Sequence, residues 1–296
     1  QDLMERTANP YASAFLVQID GSRHYCSGQW RRASELFDQS EQIYLERCSG
    51  VSSELGSVRM MALANAYFLG DLRRLSTQLP KYMGDAEANS DLRLMVILGS
   101  TSLPVLHLVH DDAESSRREA AQYINKFTYP GDGVPRINVH WWAVQSFLYE
   151  GMIGLAYRQM ITGLSRSNKM IITTVQALRI IDTELRGRCA LAAVQETPSL
   201  RQRLLAEARR SIRLLEREQR PSADALARLL RAGLAFVEGH HEATRAQLQH
   251  AAEACERADM KLHAAVARRR LGQLAGEDSE HSAIVAAEKI LSDEGV

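Results

Sequence analysis

The sequence predicts an all-α superhelix of stacked helical hairpins with a period of about 40 to 44 residues. Three observations predict it. The first is a turn signature in which a glycine is followed by large residues two and nine positions on and, in two of its four copies, a small one five on. It occurs as Gly28-x-Trp30-x-x-Ala33-x-x-x-Phe37, as Gly70-x-Leu72-x-x-Leu75-x-x-x-Leu79, as Gly151-x-Ile153-x-x-Ala156-x-x-x-Met160 and as Gly239-x-His241-x-x-Thr244-x-x-x-Leu248. Its glycines stand 42, 81 and 88 residues apart, so the two larger gaps are close to twice the first. The second is composition: 45% of the 296 residues are apolar and only 6% aromatic, and Ala, Leu and Arg, which lose little freedom in a helix, dominate. The third is apolar spacing at three- and four-residue steps between the turns. A hairpin of this kind has an apolar face it cannot bury alone, so neighbours stack and the stack is the fold.

Taken in order, Pro10 to Ser27 and Trp30 to Cys48 form the first hairpin, and Ser52 to Leu69 with Leu72 to Ala88 the second, turning at Gly70-Asp71. The third pairs Asp91 to His110 with Ala113 to Phe127, and Asp111-Asp112 stands where glycine stood elsewhere. Pro80 and Pro104 fall inside apolar-periodic stretches, where a missing N–H and a crowded preceding turn predict a kink or an early helix end. Thr128 to Arg136 concentrates two prolines and two glycines and predicts a loop. It divides the chain into a stack over 1–127, a loop over 128–137 and a second stack over 138–296, unless one solenoid runs from 1 to 296. Asn138 to Glu150 and Met152 to Leu164 follow, then one long helix from Lys169 to Val194 with Ile171, Val175, Leu178, Leu185, Cys189 and Ala192 on one face. Thr197-Pro198 and Pro221-Ser222 read as helix starts, since proline is preorganised for the first turn. Pairs from Pro198 to Glu218 with Ala223 to Glu238, and from Glu242 to Ala258 with Lys261 to Leu274, complete the stack, and a short helix lies near Ser282 to Leu291.

The formal net charge is zero, so no bulk field draws the chain to nucleic acid or anionic lipid. Arg201 to Arg220 holds seven arginines, but Glu207, Glu216 and Glu218 are interspersed, which describes a solvated helix face. Cys26, Cys48, Cys189 and Cys255 form no CxxC pair and read as small buried hydrophobes in a reducing, cytoplasmic setting. Met95 to Val109, the most apolar stretch, is short and broken by Pro104 and His107, so no membrane span is expected. A chain beginning at Gln1 is expected to be a segment of a longer polypeptide.

The turn signature resembles the second half of the tetratricopeptide repeat, with Leu75 and Thr244 departing from its small residue. The resemblance implies that the glycine ends the first helix of each hairpin and that first helices line a concave face. Gly28-Gln29-Trp30-Arg31-Arg32-Ala33, the stretch Arg47 to Gly56 and Ala267-Arg268-Arg269-Arg270-Leu271-Gly272 resemble the C-terminal helical-repeat region of large multidomain bacterial serine/threonine protein kinases. In those proteins a kinase domain and an ATPase module precede the repeats. That resemblance implies a scaffold or sensor segment of a signalling protein, with the kinase and ATPase domains of the same polypeptide as possible partners. The sequence has no glycine-rich phosphate loop, no His-Arg-Asp catalytic loop, no Asp-Phe-Gly and no GxxxxGK[ST], so phosphoryl transfer is not expected of this segment.

Candidate sites are few. His107 and His110 lie one turn apart before Asp111-Asp112, yet no further metal ligand is fixed and the Asp pair has a turn to make. His240-His241-Glu242 does not complete HExxH because Arg245 occupies the last position. No catalytic residue, metal or cofactor is expected. Counting back from the turn glycines on the tetratricopeptide pattern gives a groove of Gln18, Ser22, Tyr25, Tyr67, Asn138, Trp141, Gln145 and Tyr149. Amide and aromatic side chains in a groove suit recognition of an extended segment or helix. The leading expectation is a non-catalytic scaffold for a protein or peptide partner. Its alternative is a ligand sensor, which a closed apolar pocket with convergent polar groups would favour, and an all-α enzyme would need acidic and histidine residues clustered in a cleft.

Overall fold

The computed structural model describes residues 9–126, 133–274 and 284–294, apart from 286 and 291. The described residues are helical with no strand. The helices are α1 (Pro10–Cys26), α2 (Trp30–Arg47), α3 (Ser52–Leu69), α4 (Leu72–Ala88), α5 (Leu92–Thr101), α6 (Leu103–Val109), α7 (Ala113–Lys126), α8 (Val134–Tyr149), α9 (Ile153–Thr162) and α10 (Arg166–Thr174). They continue as α11 (Gln176–Glu196), a 3-10 turn (Pro198–Leu200), α12 (Arg201–Arg217), α13 (Pro221–Val237), α14 (His241–Arg257) and α15 (Lys261–Gln273). Neighbours in sequence pack on each other throughout, as in α1 on α2, α11 on α12 and α13 on α14. This is the all-α superhelix of consecutive hairpins.

The signature glycines make the turns. Gly28, Gly70, Gly151 and Gly239 all have φ between 73° and 81°, the left-handed region that side-chain-free backbone enters at little cost. At each, the amide of the next residue donates across the helix end to a carbonyl five residues back: Gln29 to His24, Asp71 to Ala66, Met152 to Phe147 and His240 to Ala235, at 2.8 to 2.9 Å. These bonds satisfy carbonyls that a helix end leaves orphaned. Asp111 repeats the turn without glycine at φ 60°, and Asp112 donates to His107 at 2.8 Å. It is the missing member between Gly70 and Gly151, and its side chain accepts a 2.6 Å hydrogen bond from the Tyr149 hydroxyl.

Several expectations are corrected. Helix α4 does not end early at Pro80 but runs through it to Ala88, with the proline exposed. At Pro104 the expected break is present: α5 ends at Thr101 and α6 begins with the proline in its first turn. Of the 128–137 loop, Val134 to Ile137 belong to α8, and 128–132 lie outside the described residues. The long helix splits at the extended residue Val175, which is exposed and not on the shared face. Thr197 makes no cap: Pro198 opens a 3-10 turn, and α12 starts at Arg201. Cys189 and Cys255 are buried, but Cys26 is exposed. By length and composition 92–109 is apolar enough to cross a membrane, and half of it is buried inside the fold.

The superhelix closes on itself. Trp30, with Tyr25, Phe68 and Leu69, packs against Ala225, Ala254, Ala258, Met260 and Ala264, so the first two hairpins meet the last two. Gly70 approaches Leu262 so closely that a Cβ there would sit 2.5 Å from its Cγ. Arg31 bridges to Asp259 at 2.7 Å along the rim of this seam. What the tetratricopeptide pattern presents as an open concave face is here narrowed to a partly open central cavity.

Candidate functional site

The interior holds a cavity of about 460 Å³. Helix α11 supplies one wall: Ala177, Ile180, Ile181, Glu184, Arg188 and Leu191 recur at three- and four-residue steps and share one face. Opposite stand Trp30 and Phe68, stacked with centroids 5.1 Å apart, and Tyr25, edge-on to Phe68 at 5.8 Å. Leu226, Leu229, Leu230 and Gly233 of α13, Met260 at the start of α15, and His263 and Val266 on α15 complete the lining. Val266 is 44% exposed and lines this chamber.

Against this apolar lining a few polar groups are fixed at two ends. At one, Arg188 Nε donates to Glu184 Oε1 at 2.9 Å and Nη2 donates to Gln145 Oε1 at 2.9 Å. Gln145 also hydrogen-bonds Tyr67. Burial works against the Arg188 charge, but the Glu184 carboxylate and neighbouring Tyr67 and Cys189 outweigh it, so its pKa moves up and it stays a cation. Its side chain is 45% exposed although protein surrounds it, and Arg188 lines the chamber. Beside it His263 is held neutral: burial first, then the Arg188 charge, push its pKa down to about 4.

At the other end, Arg220 Nε donates to Gln176 Oε1 at 3.0 Å. The amide of Gln176 donates in turn to Glu218, whose carboxylate already takes Arg179 through both oxygens at 2.6 and 2.8 Å. Arg179, followed by Gln176, holds the Glu218 pKa below the usual carboxylate range, although burial opposes them. Among the described residues no carboxylate lies within ion-pair distance of Arg220 itself. Burial raises the pKa of the Cys26 thiol against the opposing pull of Arg220, and burial raises Tyr25 and Tyr67 as well, so all three are uncharged near neutrality. The lining therefore carries two guanidiniums and one carboxylate, a net charge of one positive. Twelve residues of α11 separate Gln176 from Arg188, about 18 Å along the helix.

Of the eight residues placed in a groove from the sequence, Tyr25, Tyr67 and Gln145 meet in this cavity. The other five do not line it. Gln18 accepts from the Tyr44 hydroxyl at 3.2 Å, and Ser22 donates to the Gln18 carbonyl within its own helix. Trp141 is buried in the core of α8, α9 and α11 with Nε1 donating to Asp182 at 3.0 Å. Asn138 is half-buried, and Tyr149 is 55% exposed on the outside, bonded to Asp111. Counting back from a glycine presumes an open stack of equivalent hairpins, whereas closure leaves only a few first-helix positions facing inward. Sequence reasoning missed Glu184, Arg188, Arg220 and His263. A signal for the first two exists: an i,i+4 acid–base pair set among Ile181, Leu185 and Leu191 is a polar patch on an otherwise apolar face.

His107 and His110 do not come together on a metal-like cluster. His107 Nε2 lies 3.0 Å from Glu119, Asp112 caps α7 by accepting from the Ser115 amide, and no group of three His, Cys, Asp or Glu is assembled among the described residues. No family model, curated protein or solved structure matches the chain.

Proposed function

We propose that this chain is a non-catalytic helical-repeat module that binds a small organic ligand in its central cavity and reports occupancy to a larger signalling protein. The observation that carries this reading is the cavity itself: a partly open, mostly apolar chamber in the size range of small-molecule sites, with a few oriented polar groups. The cavity also shares its walls with the seam. Trp30, Phe68, Leu226 and Met260 belong both to the lining and to the contact between first and last hairpins. A ligand touching both sides favours the closed ring over any opened one, which is the differential affinity that a sensor requires.

The test is saturable binding of the neutral apolar dye N-phenyl-1-naphthylamine. One-site binding to the native chain, lost in Leu229→Trp, which fills the chamber, supports the reading. A native chain that binds no dye saturably overturns it.

A scaffold for a protein partner is the second reading. Tyr11, Phe15 and Ile19 lie one turn apart on α1 and are 41 to 49% exposed, a stripe with the spacing that one helix offers another. The partner this stripe fits is an amphipathic helix. Phe15→Asp then weakens association with such a helix and leaves dye binding untouched, whereas an unchanged affinity removes this reading.

A further inference from the structure

We infer that the ligand of this cavity is an amphipathic anion, an apolar body bearing one carboxylate, with the carboxylate seated on Arg188 and the body lying along α11 between Phe68 and the α13 leucines. The inference rests on the cavity-binding reading above and adds the chemistry of what enters.

Three observations converge on it. First, the charge count is unbalanced. Glu184 offsets Arg188 at one end. At the other, Arg220 is hydrogen-bonded to the neutral Gln176 amide and shares the field of Glu218 with Arg179, which takes both oxygens of that carboxylate. The surplus positive charge therefore belongs to the chamber as a whole, and Arg188 is chosen as the seat by its geometry. Cys26, Tyr25, Tyr67 and His263 contribute no charge near neutrality. A net positive charge on a mostly apolar, partly open chamber favours an anion over a neutral or cationic ligand of the same shape.

Second, Arg188 is preorganised. Its Nε is tied to Glu184 and one Nη2 hydrogen to Gln145, which fixes the plane of the guanidinium on the chamber wall. The remaining N–H groups are still to be satisfied, and a carboxylate matches such a planar fork. Because the arginine is already held, little side-chain entropy is lost on binding.

Third, the rest of the wall cannot serve a strongly polar ligand. Ile180, Ile181, Leu226, Leu229, Phe68 and Val266 offer no hydrogen bonds, so a sugar or a polyphosphate would leave buried polar atoms unpaired there. One anionic end and a hydrocarbon or aryl body satisfy both parts of the surface.

The experiment is displacement of N-phenyl-1-naphthylamine by three matched probes: decanoate, 1-decanol and decylamine. The native chain is expected to bind decanoate at least about tenfold more tightly than decanol, a difference of about 1.4 kcal/mol, and decylamine most weakly. Arg188→Met leaves Glu184 unpaired in the wall, so the carboxylate preference should vanish and decylamine should gain. Glu184→Gln frees the guanidinium, so decanoate should bind roughly tenfold more tightly still. Should the methionine variant fail to fold, the glutamine variant decides alone. Dye binding with equal displacement by all three probes overturns the anion and leaves the cavity reading standing. Glu184→Gln with unchanged decanoate affinity removes Arg188 as its seat. No saturable dye binding to the native chain overturns both readings together.

Discussion

The junction of α11 with α12 and α13 and the seam between the first and last hairpins both bury apolar surface, but they do so with different shapes. At the junction, Leu191, Val194, Leu204, Ile212, Leu215 and Leu230 interlock as branched aliphatics, and Gly187 lets the backbones approach. The seam sets broad rings, Trp30 and Phe68 with Tyr25, against alanines of α13, α14 and α15. Interlocked aliphatics fill space at crystal-like density, whereas the rings of the seam border the open space of the cavity. The cavity lies where the second kind of packing meets the first. A closing seam of this chain is thus both an interface and the wall of a chamber.

Acid has the largest expected effect, and it separates the seam from the core of α8, which lies outside both regions. His140 on α8 and His263 at the seam are both pushed by burial to about 4 from an ordinary value of 6.5, with Arg186 and then Lys169 adding to the first and Arg188 to the second. Above pH 6.5 both rings are neutral whether folded or not, and nothing is gained or lost. As pH falls through 6.5 the unfolded chain takes up protons that the folded chain refuses, so stability drops until about pH 4, where the folded rings also titrate. For fully buried His140 the loss reaches at most about 3 kcal/mol. Denaturant melts between pH 7 and 4 should show His140→Gln flattening the slope and His263→Gln flattening it less, with dye release at acid pH sensitive only to the second. Identical pH slopes in the native chain and in His140→Gln would contradict this.

Gly187→Ala tests the junction directly. The added Cβ would lie 2.6 Å from Leu230 Cδ1 and 3.0 Å from Ser211 Cβ, and the serine carbon sits on backbone that cannot swing away. Overpacking of this kind costs about 1–3 kcal/mol, read as a fall in thermal midpoint for the whole chain. Gly70→Ala does the same to the seam. It forces a side chain into φ 73° and to within 2.5 Å of Leu262 Cγ and 3.2 Å of its Cβ, atoms held close to the Leu262 backbone, so a loss of about 1–3 kcal/mol is expected together with weaker dye binding. Adding Leu262→Ala to Gly70→Ala should restore part of the alanine's cost if the contact is real. A double variant that is simply the sum of the singles argues against a closed seam.

The same comparison explains what the sequence disclosed. The hairpins were legible because their turns recur at a fixed spacing and need a left-handed residue, so Gly28, Gly70, Gly151 and Gly239 announce themselves. Asp111 was legible only by its place in the count. The cavity was not, because Trp30 and Met260 or Gly70 and Leu262 are joined by ring closure and no period links them. Tyr25, Tyr67 and Gln145 were reached because they sit near the ends or inner faces of first helices, while Arg188 and His263 lie on α11 and α15, helices that a groove of first-helix positions, counted back from the turn glycines, does not include. The split at Val175 was missed for a local reason, since an apolar β-branched residue reads as helix face until the backbone shows it extended.

The smallest expected effect sharpens the contrast most. Arg31 and Asp259 form the most visible polar link across the seam at 2.7 Å, yet the arginine is 76% exposed. An exposed pair gains little over its two hydrated partners and is screened by salt, so Arg31→Ala should change stability by less than about 0.5 kcal/mol and leave dye binding intact. Trp30→Ala, one residue away and 5% exposed, removes the ring that closes the chamber and should abolish dye binding. If Arg31→Ala instead opens the ring, shown by faster amide exchange in α15, then the seam is held by charge and its aromatic packing is incidental. Equal salt sensitivity of dye binding in the native chain and in Arg31→Ala is the outcome that keeps the apolar account, because the bridge then contributes nothing that ions can screen away.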